Sequence, residues 1–393
     1  MPGLRERSPS PERVSASEKK KRGGRLLSCV GWNDVWNEVT SVMDKPASLH
    51  ALVCDAFLES AVLSADSLVS TDRIENLAKS VQSGYNLTPY HNFTHASHVF
   101  LSALMLLKEA TIVFTRVEKA ALLFTAIVHD LEHQGVPNAQ LVKEVSPLAL
   151  QYANKSVAEN HSLTAAYAIL QLEDPAGSCN VFSDFSREER QRFQSLCSSI
   201  ILATDIGDKA RLDGIYARVA AAVQAHDSMD GGSAGADAGE WYVESSGDGD
   251  SSSSSSGSGS GSDQARLLAH LPENRELILI LIMKLADVGA PMQQYSTGID
   301  WAERFYNENR TAHKLGRGPP VESDSFVKGQ VGFYDFFMKH LIEVAASIGG
   351  VKAAVTDDML RNLLVLKAYW SDKGHAQLGA WERLWDESNG GGL

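Results

Sequence analysis

Two observations in the 393-residue sequence predict an all-α fold: apolar residues recur at helical spacing in a dozen segments, and strand-like alternation is scarce. With 44% apolar and 22% charged residues, the chain has the material for a sizeable core of the soluble type. The first segment is "GWNDVWNEVTSVM", where Asn33 is placed to cap and Val35, Trp36, Val39 and Val42 share one face, as in a docking helix. Further helices are expected over 47–69, 71–82, 92–110, 116–134, 156–172, 186–203, 208–225, 264–287, 299–309 and 325–347, and over 356–387 with breaks. Two stretches depart from the pattern. Residues 1–30 read as a disordered basic tail, and 228–263 as a disordered insertion so rich in Gly, Ser and Asp that it cannot bury enough surface to offset its ordering entropy. The expected organisation is thus a tail followed by one helical domain over 31–393 that carries the insertion.

The charge is uneven. Residues 1–25 hold eight Lys/Arg against three Glu, a local +5 that leaves −18 of the total of −13 for the remainder, so nucleic acid is not an expected partner of the body. Cys29, Cys54, Cys179 and Cys197 are far apart and form no C-x-x-C pair, which points to a reducing compartment rather than a disulfide framework. The longest apolar run, "LILILIM", stops at Lys284, well short of a membrane span. The first residues lack the apolar stretch of a secretory signal, so a cytoplasmic location is expected. "KKKR" in the tail leaves open a nuclear address or contact with acidic lipid, although a solvated run is the plainer reading. The tail, the insertion with its Trp241–Val243 triplet, and the basic stretch around 19–43 leave open a regulatory partner or a homodimer.

Chemistry concentrates in a few strings. "YHNFTHASHVF" places His91, His95 and His98 at intervals of four and three, one face if the whole string is helical. "LFTAIVHDLEHQGVPN" runs from apolar residues into His129, Asp130, Glu132 and His133 before Gly135 and Pro137. "LILILIMKLADVGAP" repeats this arrangement with Asp287. Carboxylates at helix C-termini oppose the helix dipole. Two of them on otherwise apolar helices call for a shared cation, or else each for its own Lys or Arg. An Asp/His donor set without cysteine suits zinc through imidazole, and magnesium or manganese through carboxylate and water. A pair of such ions is suited to phosphoryl hydrolysis. In "NKSVAENHSL", Ser156 and Glu159 fit a capping box, and Glu159 also fits a role in orienting a catalytic histidine. In "LATDIGD", Thr204 and Asp205 read first as the N-cap of the next helix.

Taken in order, "YHNFTHA", "HDLEHQGVPN", "SVAENHS", "LATD", "KLADVGAP" and "KGQVGFYDFF" resemble the class I 3′,5′-cyclic nucleotide phosphodiesterase catalytic domain over about residues 85–345, apart from the insertion. The resemblance implies a compact, HD-like all-helical domain that converts cyclic AMP or cyclic GMP to the 5′ monophosphate through a hydroxide activated by two metals. His95, His129, Asp130 and Asp287 would hold the inner ion, zinc in the family. The outer ion, usually magnesium and alternatively manganese, would share Asp130 and keep waters held by His133, Glu159 and Thr204. His91 would protonate the departing 3′ oxygen, with Glu159 orienting it. Gln330 would read the purine edge between Phe333 and Phe305, with Tyr90 also facing the substrate.

The chain departs from the family pattern at His98, where Asp is usual, and at Glu132, where Asp is frequent. "KLADVGAP" stands where "HCADLSNP" is usual, so Gly289 and Ala290 replace Ser and Asn, which leaves the choice between the two cyclic nucleotides open. Two other readings of the same residues are an HD-type phosphohydrolase acting on other nucleotides and a regulatory module that senses cyclic nucleotides. Because every residue matched to metal or acid is present, an enzyme is expected.

Overall fold

A computed structural model of the chain describes residues 31–42, 46–60, 71–174, 177–230 and 272–390. The expected tail lies outside these residues, as do most of the insertion and residues 61–69 and 264–271 of two expected helices. The described part is helical, as expected, apart from loops and two two-residue antiparallel strands, β1 (Glu173–Asp174) and β2 (Gly177–Ser178).

After a short 3₁₀ turn at Trp32–Asp34 come α1 (Val35–Thr40), α2 (Pro46–Glu59), α3 (Thr71–Gly84), α4 (Phe93–Lys108) and α5 (Arg116–Val128). Then follow α6 (Asn138–Lys143), α7 (Pro147–Gln151), α8 (Val157–Leu170), α9 (Arg187–Leu202), α10 (Lys209–Asp230) and α11 (Pro272–Asp287). The last are α12 (Tyr295–Lys314), α13 (Ser323–Phe333), a π-helical turn at Tyr334–Met338, α14 (Lys339–Ser347) and α15 (Ala353–Gly390).

The centre is built from the most apolar helices. α4 packs against α5 and α11, and α5 against α9, so that "LILILIM" is buried on all sides. That burial explains why α11 shows a continuous apolar run rather than a stripe. The starts of α5 and α9 are fixed by capping boxes, Thr115 with Glu118 and Ser186 with Glu189, each satisfying two backbone N–H groups at a helix start. Arg275 of α11 then reaches Glu118 with its Nε 2.9 Å from Oε1, tying two central helices together at one end.

Several expectations need correction. The helix foreseen over 116–134 stops at Val128, because Leu131 N and His133 N close turns on Val128 and Asp130 and the chain then passes through positive φ at Glu132 (61°) and Gly135 (66°). Asn33 does not cap; its Oδ1 accepts from Asn362 Nδ2. The last helix has no break, since Gly374 is accommodated by close packing: a Cβ there would stand 2.9 Å from Trp370 and 3.1 Å from Val327. Conversely, the helix expected over 325–347 is interrupted by the π turn, which inserts an extra residue behind Phe333. α10 includes residues 228–230, assigned in sequence to the insertion. α6 and α7, too short for periodicity to register, were not anticipated.

Candidate active site

α4, α5 and α11 bring their ends to one place. Asn92 caps α4 by accepting from Thr94 N and His95 N. His91 therefore lies before the helix rather than on it, which corrects the single-face reading of the three histidines. His95 and His98 are on α4, both buried. His129 is the C-cap of α5, Asp130 follows it, and Asp287 ends α11.

Across these elements His95 Nε2 lies 3.2 Å from Asp287 Oδ1 and 3.5 Å from Asp130 Oδ2. His129 Nε2 lies 3.2 and 3.1 Å from the same two oxygens. His129 Nδ1 donates to the Ala126 carbonyl at 3.0 Å, which turns Nε2 to the carboxylates, and that buried atom has no hydrogen-bond partner. A carbonyl that fixes the ring through one nitrogen while the other faces two carboxylates is the donor geometry of a metal ligand. The electrostatics agree. Although burial disfavours every charge here, Asp130 and Asp287 hold His129 above its ordinary value and His129 holds both carboxylates below theirs, so the cluster draws positive charge.

Beside this group lies a second one. His91 Nδ1 is 2.5 Å from Glu308 Oε1, while Glu308 Oε2 accepts from the backbone N–H groups of Tyr90 and His91. The His133 ring lies 3.9 Å from that of His91, and His133 Nδ1 accepts from Gly135 N. Burial would push His91 down, but Glu308, with Asp130 and Asp287 beyond, outweighs it and raises the imidazole to about 9. Burial and the neighbouring His91 push His133 down to about 4, so one imidazole of the adjacent pair is cationic and the other neutral.

Glu159 does not touch His91, contrary to expectation; the partner is Glu308. Glu159 accepts from Asn138 Nδ2 at 2.8 Å, and Asn138 Oδ1 accepts from Ala158 N at the start of α8. Asn138 thus supplies the cap assigned to the Ser156/Glu159 box, and Ser156 instead sits at left-handed φ 38° with no capping bond. Burial first, and Asp205 second, raise Glu159 to about 7. Thr204 is buried at the end of α9, with its hydroxyl donating to Ile201 O. Asp205 accepts from Gly207 N, while Asp208 accepts from Arg211 N at the start of α10, so Asp208 takes the cap assigned to Thr204 and Asp205.

Tyr90 lies between the groups, its ring 4.7 Å from His91, 4.8 Å from His95 and 5.7 Å from Phe305. Gln330 Oε1 accepts from Tyr334 OH at 2.8 Å. Phe333 stacks on Phe337 at 4.9 Å, and among the described residues no ring contact joins Phe333 to Phe305, which is partly exposed. Gly289 has a local cause: a Cβ there would come within 2.9 Å of Trp32, whose Nε1 donates to Met292 O. Glu308 was missed in the sequence. The stripe Trp301, Glu308, Ala312 could have revealed it, as an acid on the buried face of α12.

The family model for 3′5′-cyclic nucleotide phosphodiesterase matches residues 90–358. The chain belongs to the 3′,5′-cyclic nucleotide phosphodiesterase family. A 3′,5′-cyclic-AMP phosphodiesterase of Drosophila melanogaster, isoform F, is 30% identical over 190 residues, 47% of this chain and 28% of that protein. For isoforms N/G the identity is again 30%, over 19% of the relative. The match therefore spans less than a third of these relatives. Two solved phosphodiesterase domains of the Salpingoeca rosetta rhodopsin phosphodiesterase share the fold. One is 22% identical with a TM-score of 0.62, covering 86% of this chain and 93% of that one. The other is 23% identical with a TM-score of 0.65, covering 86% and 90%. The phosphodiesterase family implies divalent metal cofactors, and the converging donors with the unpartnered His129 Nε2 fit them. No helix among the described residues is long and apolar enough to cross a membrane.

Proposed function

We propose that residues 31–393 form a phosphodiesterase catalytic domain that hydrolyses 3′,5′-cyclic nucleotides to 5′ monophosphates. The observation that carries this reading is the meeting of His95, His129, Asp130 and Asp287, from three helices, directly beside a histidine braced by a buried carboxylate. These four residues would hold the inner ion, zinc, and Asp130 with His133, Glu159 and Thr204 would serve an outer magnesium or manganese. When bound, the ions neutralise phosphate charge and supply a water acidic enough to ionise near neutral pH.

The remaining work falls to side chains. His91 is cationic at neutral pH and donates its proton to the departing 3′ oxygen, while Glu308 fixes the ring through Nδ1 and offsets its charge. Neutral His133 accepts no competing proton. Glu159, half-protonated near pH 7 and anchored by Asn138, holds water at the Asp205 side. Gln330, with its carbonyl oriented by Tyr334, presents its amide N–H groups to a purine edge, and Phe333, Phe305 and Tyr90 supply the apolar walls. A cyclic purine nucleotide fits this set of groups. The named activity of the Drosophila relatives favours cyclic AMP among the candidates.

The test is hydrolysis of cyclic AMP and cyclic GMP by the purified chain with Mg²⁺, together with His91→Ala. We expect 5′ monophosphate from at least one nucleotide and a loss in kcat of about 10² to 10⁴ in the variant, with bound metal retained. A metal-loaded protein inert on both nucleotides would falsify the proposal.

A further inference from the structure

We infer that Lys284 is a built-in cation on the flank of the metal centre, a positioning residue that holds the α9 corner against α11 and lowers the affinity of the site for divalent ions. The inference rests on the metal-centre reading above. Lys284 stands in "KLAD", one turn before Asp287, where the family's usual string has His. Its side chain is 3% exposed. Lysine is rarely so deeply buried without groups that offset its charge. Nζ donates to Ala203 O at 2.7 Å, the carbonyl that immediately precedes Thr204 and Asp205, and lies 5.6 Å above the ring of Phe337. Burial lowers the ammonium to about 8, and Asp287 and Asp205 oppose that fall.

Asp287, one turn on along α11, and Asp205, two residues past the carbonyl that Nζ holds, are thus the carboxylates placed to offset the buried ammonium. Linkage makes the relation reciprocal: carboxylate charge that stabilises Lys284 is charge for which an incoming dication must compete. Two effects of removing Lys284 have opposite signs. Loss of the tie to Ala203 loosens the corner and weakens ion binding, whereas loss of the charge strengthens it. Because Lys284 stands one turn from Asp287 in a buried setting that screens charge poorly, the Coulomb effect is the larger. Lys284→Gln separates the two, because its amide still donates toward Ala203 O without the charge.

The experiment is Mn²⁺ titration of the full chain followed by electron paramagnetic resonance, with Asp287→Ala as the control that removes the site. Lys284→Gln is expected to tighten Mn²⁺ binding about tenfold and to lower the Mg²⁺ needed for half-maximal hydrolysis, while Lys284→Arg stays near the parent. Lys284→Met, which keeps the packing over Phe337, gives the same sign should the glutamine variant not fold. Unchanged or weaker binding in a folded charge-free variant overturns the inference while leaving the metal centre in place. If the parent shows no Mn²⁺ binding that Asp287→Ala removes, the metal-centre reading falls and this inference with it.

Discussion

His95, His129 and Asp287 form one trio, and His91, His133 and Glu308 another; in each, the potential ligand atoms lie within 4.8 Å of one another. Residue types do not tell them apart. Hydrogen-bond accounting does. In the first trio a buried imidazole nitrogen is left without a partner and faces two carboxylates. In the second, both oxygens of Glu308 are taken by N–H groups of residues 90 and 91, and Nδ1 of His133 is taken by Gly135. Two histidines and an acid therefore make a cation site when the lone pairs are left over, and a proton site when they are used up.

The largest expected effect belongs to the first trio. Asp287→Ala removes a carboxylate 3.2 Å from both His95 and His129 and should abolish tight metal binding, with activity falling by about 10³-fold or more. Metal content by elemental analysis is the readout. A variant that keeps its full complement of metal breaks the distinction between the trios.

Glu308→Gln addresses the second. His91 is raised from 6.5 to about 9, so the stability it contributes is complete below pH 6.5 and is lost as pH rises through about 9. Burial opposes the charge on Glu308, but His91 and the N–H groups hold it down to about 2, so its share is present above pH 4.5 and lost as pH falls through about 2. Replacing the carboxylate should lower the basic limb of the kcat profile by about one unit or more and reduce kcat by about tenfold, with metal content unchanged. A profile that keeps its basic limb removes Glu308 from the acid group.

The distinction was only partly legible in the sequence. His129, Asp130 and Asp287 could be read because they end apolar helices just before Gly and Pro, a local pattern, and the six strings in order carried the resemblance. Glu308 could not be assigned to His91, since a separation of 217 residues is bridged only by the docking of α12. Glu159 was read from spacing as a cap or as the orienter of the acid. The structure gives the cap to Asn138, across α6, α7 and turns whose positive-φ residues Val145, Ala153 and Asn154 leave no periodic trace. Lys284 read as the end of an apolar run, because a buried ammonium is recognisable only once its partners are placed.

His98, the third histidine of the opening string, belongs to neither trio and so sharpens the comparison with the smallest expected effect on catalysis. Its ring is parallel to Trp301 within 6° at 5.5 Å, and Nε2 lies 2.9 Å from Gln293 Oε1, whose amide in turn reaches Ser102 Oγ. Burial pushes it down to about 3, so it is neutral at any working pH and serves as a packed donor linking α4 to the segment before α12. His98→Ala would leave Gln293 with a buried unpaired oxygen and remove a stacked ring, together costing about 2 to 4 kcal/mol of stability by denaturant unfolding. Metal content and kcat per folded molecule should stay within about twofold of the parent. If this variant instead loses metal while remaining folded, proximity along α4 matters more than hydrogen-bond accounting, and the separation of the two trios fails at its simplest point.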